Sequence, residues 1–214
     1  MATAVAEARR RASRIAAPEL PVVVLEHSAG GGFGMGVDVA ELAAIARACA
    51  ELGLDDRAVG FCLDAAHAWG AGIDMADPAA IEDLIEAFDA RIGLDRLRLV
   101  HLNDSSTGRG SRSDRHQHVG AGRIGPTGLG HLVRHPRLRH VPFILETPGK
   151  EDGYDAVNLG RVRALLRGEP LEELSREAFE LKGSRAKAGT PPDGPEAAGG
   201  RRRSPRAGVG STSA

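Results

Sequence analysis

Aromatic side chains are scarce in this chain, with five Phe, one Tyr and one Trp among 214 residues, and there are only two cysteines. Two cysteines build no disulfide framework and form no zinc-knuckle spacing, so Cys49 and Cys62 are expected as reduced, buried thiols. Long apolar runs are missing as well, which excludes a membrane-spanning segment. The first residues carry Arg9, Arg10, Arg11 and Arg14 without the apolar stretch of a signal peptide, so a cytoplasmic protein with no membrane partner is expected. Nor is there an excess of charge: 28 basic against 29 acidic residues give a net charge of −1, which excludes global basicity as a means of holding nucleic acid.

Any attraction for a polyanion must therefore be local, and one stretch supplies it. Between Ser105 and His140 the charged side chains are Arg109, Arg112, Arg115, Arg123, Arg134, Arg137 and Arg139 against Asp114 alone. Its first part lies in HLNDSSTGRGSRSDRHQHVGAGRIG, residues 101 to 125, a glycine-rich loop that also holds His101, His116 and His118. Metal ligands beside fixed positive charge make this loop the centre of interest.

Short apolar runs and helical periodicity alternate around it. A helix is expected from Ala2 to Ala17, before Pro18 and Pro21. The run Val22 to Leu25 suits a buried parallel strand ending at Glu26, and Val59 to Leu63 a second ending at Asp64. Leu97, Leu99 and Val100 lead a third into His101, and Val141, Phe143, Ile144 and Leu145 form a fourth ending at Glu146. Between them lie helices capped by Asp38 and by Asp77 with Pro78, a short helix through Leu129, Leu132 and Val133 stopped by Pro136, and a last one from Asp155 to Leu166. The fold class is thus α/β, with four strand-then-helix units. Past Gly168 the pattern fades, and from Lys182 a Pro-, Gly- and Arg-rich tail is expected to be disordered, with Arg201 to Arg203 a charged run within it.

Parallel strands place their C-terminal ends on one face, so Glu26, Asp64, His101 and Glu146 are expected to converge there. Asp64 and His67 are three apart just past a strand, and Asp114 and His116 two apart in an extended loop, so each pair can aim at one cavity. Carboxylate and imidazole donors without thiolate suit zinc or manganese in a hydrolytic cluster, where closely spaced metals clamp a phosphate and acidify a water. Arg112, Arg115 and Arg123 then gain a purpose, since phosphate oxygens attract guanidinium groups. Other polar residues have plainer readings. Asn103 and Asp104 are expected to orient His101 or shape the loop, Asp74 to serve a turn, His118 to face solvent, and His131, His135 and His140 to lie on the surface. Trp69 and Phe33 fit the core at least as well as stacking against a sugar or base.

The motifs LEHSAGGG, CLDAAHAWGAGID, the 101–125 loop and FILETP, in that order and spacing, resemble endonuclease IV, the zinc-dependent apurinic/apyrimidinic endonuclease of base excision repair. The resemblance covers residues 2 to 167, and His27 and Trp69 depart from the Asn and Phe usual in the family. It implies a (β/α)8 TIM barrel with up to three zinc ions, a hydrolase that cuts the phosphodiester 5′ to abasic sites in double-stranded DNA. Glu26 would bridge two zincs, Asp64, His101 and Glu146 would complete one of them with Glu146 near the attacking water, and His67, Asp114 and His116 would hold another. Against eight βα units, residues 1–168 correspond to the C-terminal half, a partial barrel beginning inside the fourth helix, and residues 169–214 to a short helix and tail. On that reading at most two zinc sites are complete, the full barrel is a monomer, and the chain, a fragment or a mis-started gene model, is expected to associate, with both an active and an inactive fragment open. Two other functions use similar residues: a metal-dependent sugar isomerase or epimerase on a xylose-isomerase-like barrel, and a non-catalytic DNA-binding fragment.

Overall fold

The computed structural model describes residues 2–12, 21–32, 34–54 and 58–181. Four strands, β1 (Val23–Glu26), β2 (Val59–Asp64), β3 (Leu97–His101) and β6 (Phe143–Ile144), form one parallel sheet in the order β1-β2-β3-β6. Helices α1 (Ala2–Ala12), α2 (Val39–Glu51), α3 (Ala65–Ala71), α4 (Pro78–Arg91), α5 (Gly125–Arg134) and α6 (Tyr154–Arg167) fill the connections. A two-residue antiparallel pair, β4 (Asp104–Ser105) with β5 (His116–Gln117), pins the base of the long loop.

The helix ends follow their caps. Asp38 accepts the Glu41 N–H at 2.8 Å, while the Glu41 carboxylate reaches back to the Gly36 and Val37 N–H groups, both at 2.9 Å, so several orphan donors at the start of α2 are satisfied. Asp77 caps α4 ahead of Pro78, and Gly72, with φ of 110°, ends α3 in the left-handed region. Every residue of β2 is buried, since this strand has a neighbour on each side and helices behind it. Leu42 of α2, Ile81, Ile85 and Phe88 of α4 and Leu129 of α5 close over Phe61, Leu63, Leu97 and Val100 in the main core. A smaller cluster of Ile45, Cys49, Leu54 and Val59 is covered by Val5 and Ala6 of α1. Both thiols are buried and free. Among the described residues no helix is long and apolar enough to cross a membrane.

Three expectations change here. The fourth strand does not reach Glu146. Among the described residues it is an edge strand with β3 as its one partner, and after the Leu102 N–H donates to the Ile144 carbonyl at 2.9 Å the chain is held by a side chain instead, Asn103 accepting the Glu146 N–H at 2.8 Å. Glu146 therefore stands two residues beyond the strand. His118 is fully buried rather than solvent-facing, because Asn158 and the Ala178 carbonyl satisfy both its ring nitrogens. His135 is also buried, its Nε2 facing Glu82 across the α4–α5 contact at 3.1 Å. Residues 169–181 cross the base of the ligand loop and include a 3-10 turn at Arg176–Phe179. The expected continuation of α1 to Ala17, Phe33, and the tail from Lys182 lie outside the described residues.

Candidate metal centre

Glu26 closes β1, Asp64 closes β2 and His101 closes β3. The register pairs Asp64 with His101 and His101 with Ile144 at the C-terminal edge of the sheet, while Glu26 pairs with Cys62, two residues before Asp64, and reaches His101 through its longer side chain. His101 Nδ1 lies 3.1 Å from Glu26 Oε1, 3.5 Å from Asp64 Oδ2 and 3.2 Å from Glu146 Oε2. One ligand atom from each of these four residues falls within 4.8 Å of the others, the spacing of donors around a single divalent ion. The shortened fourth strand does not remove Glu146 from the group, since Asn103 draws it inward.

A second group adjoins the first through Asp64. That carboxylate caps α3 by accepting the His67 N–H at 2.9 Å, and the cap turns His67 toward the loop. His67 Nδ1 lies 2.9 Å from the His27 carbonyl and His116 Nδ1 lies 2.8 Å from the Glu146 carbonyl. A ring nitrogen that donates to a carbonyl carries a proton, so in the neutral form of each imidazole Nε2 is the nitrogen with the lone pair. Both Nε2 atoms face Asp114 Oδ1, at 3.5 Å from His67 and 2.9 Å from His116. A backbone carbonyl behind an imidazole and a carboxylate in front of it is how metal-binding histidines are oriented. The donor set fits divalent ions of the zinc type: three imidazoles, four carboxylates and converging lone pairs.

The electrostatics agree. Partial burial works against ionisation of Glu26, but hydrogen bonds from His101 and His67 outweigh it and hold the carboxyl well below its usual range. Asp64 is lowered in the same way against its own burial. Hydrogen bonds to Asp64, Cys62 and Glu26 raise His101 to about 12, and His67 rises to about 9 because its bond to Glu26 and the charges of Asp64 and Asp114 overcome burial. Protons on these rings supply the positive charge that four carboxylates demand. His27, which replaces the expected Asn, does the opposite: burial pushes it down to about 4, and as a neutral ring its Nδ1 accepts the Asp64 N–H at 3.2 Å. Cys62 lies close to Glu26 and His101, two residues before Asp64 on the same strand face, and burial raises its thiol.

The three arginines are placed differently from one another. Arg112 lines a cavity of about 320 Å³ with Glu26, His27, Gly31, His67 and Asp114. It adopts φ of 54°, a left-handed conformation rare for a side chain of this size, and its N–H bonds to the Gly70 carbonyl at 3.0 Å. Arg115 and Arg123 are exposed on the same loop but are not part of that lining. Arg109 pairs with Asp74, which also accepts the Ala76 N–H in a turn. Trp69 is in the core, its Nε1 donating to the Thr107 carbonyl at 2.8 Å. Asp104 shapes the loop as expected, accepting N–H groups from Ser105, Gly122, Ile124 and Gly125. Asn103 is the residue whose role the sequence misplaced. It binds not His101 but Asp64, at 2.6 Å, and Glu146, at 3.2 Å, so one buried amide holds a carboxylate from each side of the centre.

Over residues 2–180 the sequence matches the xylose isomerase-like TIM barrel family. It is 48% identical over 145 residues to a probable endonuclease 4 of Oleidesulfovibrio alaskensis, a match covering 67% of this chain and 48% of that one. A probable endonuclease 4 of Halothermothrix orenii is 42% identical over 145 residues, covering 66% of this chain and 50% of the other. The chain thus spans about half the length of the curated relatives it matches. Among solved structures, endonuclease IV from Thermus thermophilus superposes with a TM-score of 0.62 at 39% identity, covering 78% of this chain and 58% of that one.

Proposed function

The chain belongs to the xylose isomerase-like TIM barrel family, with endonuclease IV as the branch it resembles, and on that premise we propose that its strand-end cluster is the metal-dependent centre of a DNA-repair endonuclease that hydrolyses the phosphodiester 5′ to abasic sites in double-stranded DNA. One observation carries this reading: His67 and His116 each have Nδ1 against a backbone carbonyl and Nε2 against Asp114, beside a four-residue group that shares Asp64. His67, Asp114, His116 and Asp64 would hold one zinc, and Asp64, His101, Glu146 and Glu26 another, with manganese as the alternative ion. Bound ions of this kind supply charge to a phosphate and acidity to a water.

The chain's own residues do the rest. Glu26 lies 3.1 Å from His101 Nδ1, where it would serve the His101 group, and 3.1 Å from His67 Nδ1, where it backs that ring on the side turned away from Asp114. Glu146, about half exposed beside His101, is placed to take a proton from the attacking water, and Asn103 holds it there. Arg112 at the cavity rim suits a phosphate oxygen, with Arg115 and Arg123 offering further backbone contacts. The Asp114–His116 loop with Arg112 at the cavity favours a phosphodiester over the ketose of a sugar isomerase.

The test is nicking of a duplex carrying one abasic site by the purified chain, with zinc and after chelation. Glu146→Gln should lower the rate by about 10²- to 10⁴-fold and keep both DNA affinity and its salt dependence. Cleavage that survives chelation, or a Glu146→Gln variant with an unchanged rate, would overturn the reading; binding without cleavage in the parent chain would support the binding-fragment alternative instead.

A further inference from the structure

His116 lies on a two-residue strand whose ladder consists of Asp104 opposite Gln117 and Ser105 opposite His116. So short a pair does not hold its own register in water. The residues just after it, His118 and Val119, are fastened from outside the loop. The Val119 N–H donates to Asn158 Oδ1 at 3.0 Å, and the Val119 carbonyl accepts from the buried Arg161 guanidinium. Asn158 Nδ2 lies 3.0 Å from His118 Nδ1 and 3.0 Å from the Tyr154 carbonyl. An amide nitrogen can only donate, so Nδ1 of His118 is the acceptor and Nε2 carries the proton that bonds the Ala178 carbonyl at 2.8 Å. His118 and Asn158 are both 0% exposed.

The other end of this network is the segment 169–181. Arg161 donates to the Glu172 carbonyl at 2.6 Å, Leu171 presses on Gly120 so closely that a Cβ there would lie 2.3 Å from it, and the Phe179 ring packs 6.1 Å from that of His118. Leu181 meets Gly149, three residues after Glu146, where a Cβ would lie 2.6 Å from Leu181 Cδ1. The segment therefore touches the loop carrying His116 and the loop carrying Glu146, which are themselves joined by His116 Nδ1 and the Glu146 carbonyl.

We infer that His118, Asn158 and Arg161 are positioning residues, which with the strap 169–181 hold the His116 loop in register so that its ring presents Nε2 to the Asp64–His67–Asp114 group. The inference rests on reading that group as a metal site. It is tested in the full chain with His118→Leu, which keeps the bulk and loses both hydrogen bonds, His118→Gln, which restores one acceptor and one donor, and Leu132→Ala as a core change that removes none of these hydrogen bonds. Zinc is titrated against a chromophoric chelator, and hydrogen exchange is followed in the metal-free chain. Loss of outer hydrogen-bond partners typically weakens a site about 10- to 100-fold, so His118→Leu should weaken one of two zinc equivalents by that factor and leave the other unchanged. His118→Gln should recover part of the loss, and exchange at residues 113–118 should quicken in His118→Leu but not in Leu132→Ala. If both equivalents weaken together, as in Leu132→Ala, or if neither moves, the strap is packing alone and the inference is wrong. A parent chain that takes up no zinc sinks the proposed function, and the exchange measurement then decides the strap by itself.

Discussion

Replacing Asn103 with Leu removes a buried amide that ties Asp64 and Glu146, carboxylates from the two sides of the centre, together. Asn103 is fully buried, donates to Asp64 Oδ2 at 2.6 Å and Glu146 Oε2 at 3.2 Å, and accepts the Glu146 N–H at 2.8 Å. A hydrogen bond to a buried charged group is worth about 1.5–3 kcal/mol, and a backbone N–H left unpaired costs about 1–3 kcal/mol. The bond to Glu146, whose side chain is 48% exposed, counts for much less. Leucine returns about 1–2 kcal/mol through apolar burial, so the net loss is about 1–5 kcal/mol, a fall in Tm of roughly 2–20 °C for a domain of this size. Because Asp64 belongs to both ligand groups, both zinc equivalents should weaken, by about 10- to 100-fold, unlike the selective loss expected from the strap. Asn103→Asp sharpens the test. Its new carboxylate would sit against that of Asp64, so one proton is shared and the folded-state pKa of the pair rises. A raised carboxylate pKa means the folded state binds more protons, so this variant should lose stability as pH rises through that pKa and approach the parent at low pH. Urea titration at several pH values and chelator competition for zinc measure both effects. A Leu variant with unchanged Tm and unchanged affinities would refute the claim that this amide organises the centre.

Zinc uptake should be pH-linked: with His101 raised to about 12 and His67 to about 9, both rings are protonated at pH 7 and must lose those protons to bind, so affinity rises with pH and about two protons are released, as calorimetry in buffers of different ionisation enthalpy would show. The same shifts mean that the folded metal-free chain gains stability that is fully present below the unfolded histidine value near 6.5; the His67 share is lost as pH climbs through about 9 and the His101 share only towards about 12, which denaturation with chelator present would measure. Gly128→Ala in α5 would put a Cβ 1.8 Å from the Met75 carbonyl oxygen, backbone that cannot swing aside; despite the helix-propensity gain it should lower stability by about 1–3 kcal/mol in a thermal melt. Asp104→Asn turns an amide group toward the Gly122 N–H that the carboxylate now accepts at 3.0 Å, and should cost about 1–3 kcal/mol and speed proteolysis of the 105–122 loop.

What could be read from sequence and what could not differ by the distance over which each residue finds its partner. The strand ends Glu26, Asp64 and His101 were legible because a parallel sheet aligns its C-terminal edges, so four apolar runs that stop at ligand-type residues already imply convergence. Asp64 with His67, and Asp114 with His116, were legible as local pairs, though spacing does not reveal that Asp64 would cap a helix and serve two groups at once. Glu146 was assigned to the right cluster for an incomplete reason: an apolar run continues to Leu145, but an edge strand with one neighbour stops at Ile144, and hydrophobicity alone does not count neighbours. His118 was misplaced because polarity in a glycine-rich loop suggests solvent, whereas its partners lie 40 and 60 residues further along the chain. Asn103 left one usable signal. It stands two residues after His101, and a strand's period of two turns it to the same face, toward the ligands and away from the helices. Its partners are 39 residues before it and 43 after it, so sequence could assign its direction but not its targets. Direction comes from backbone periodicity and targets from topology, which is why the candidate metal ligands could be named from the sequence while the partners of the residues that orient them emerged only from the fold.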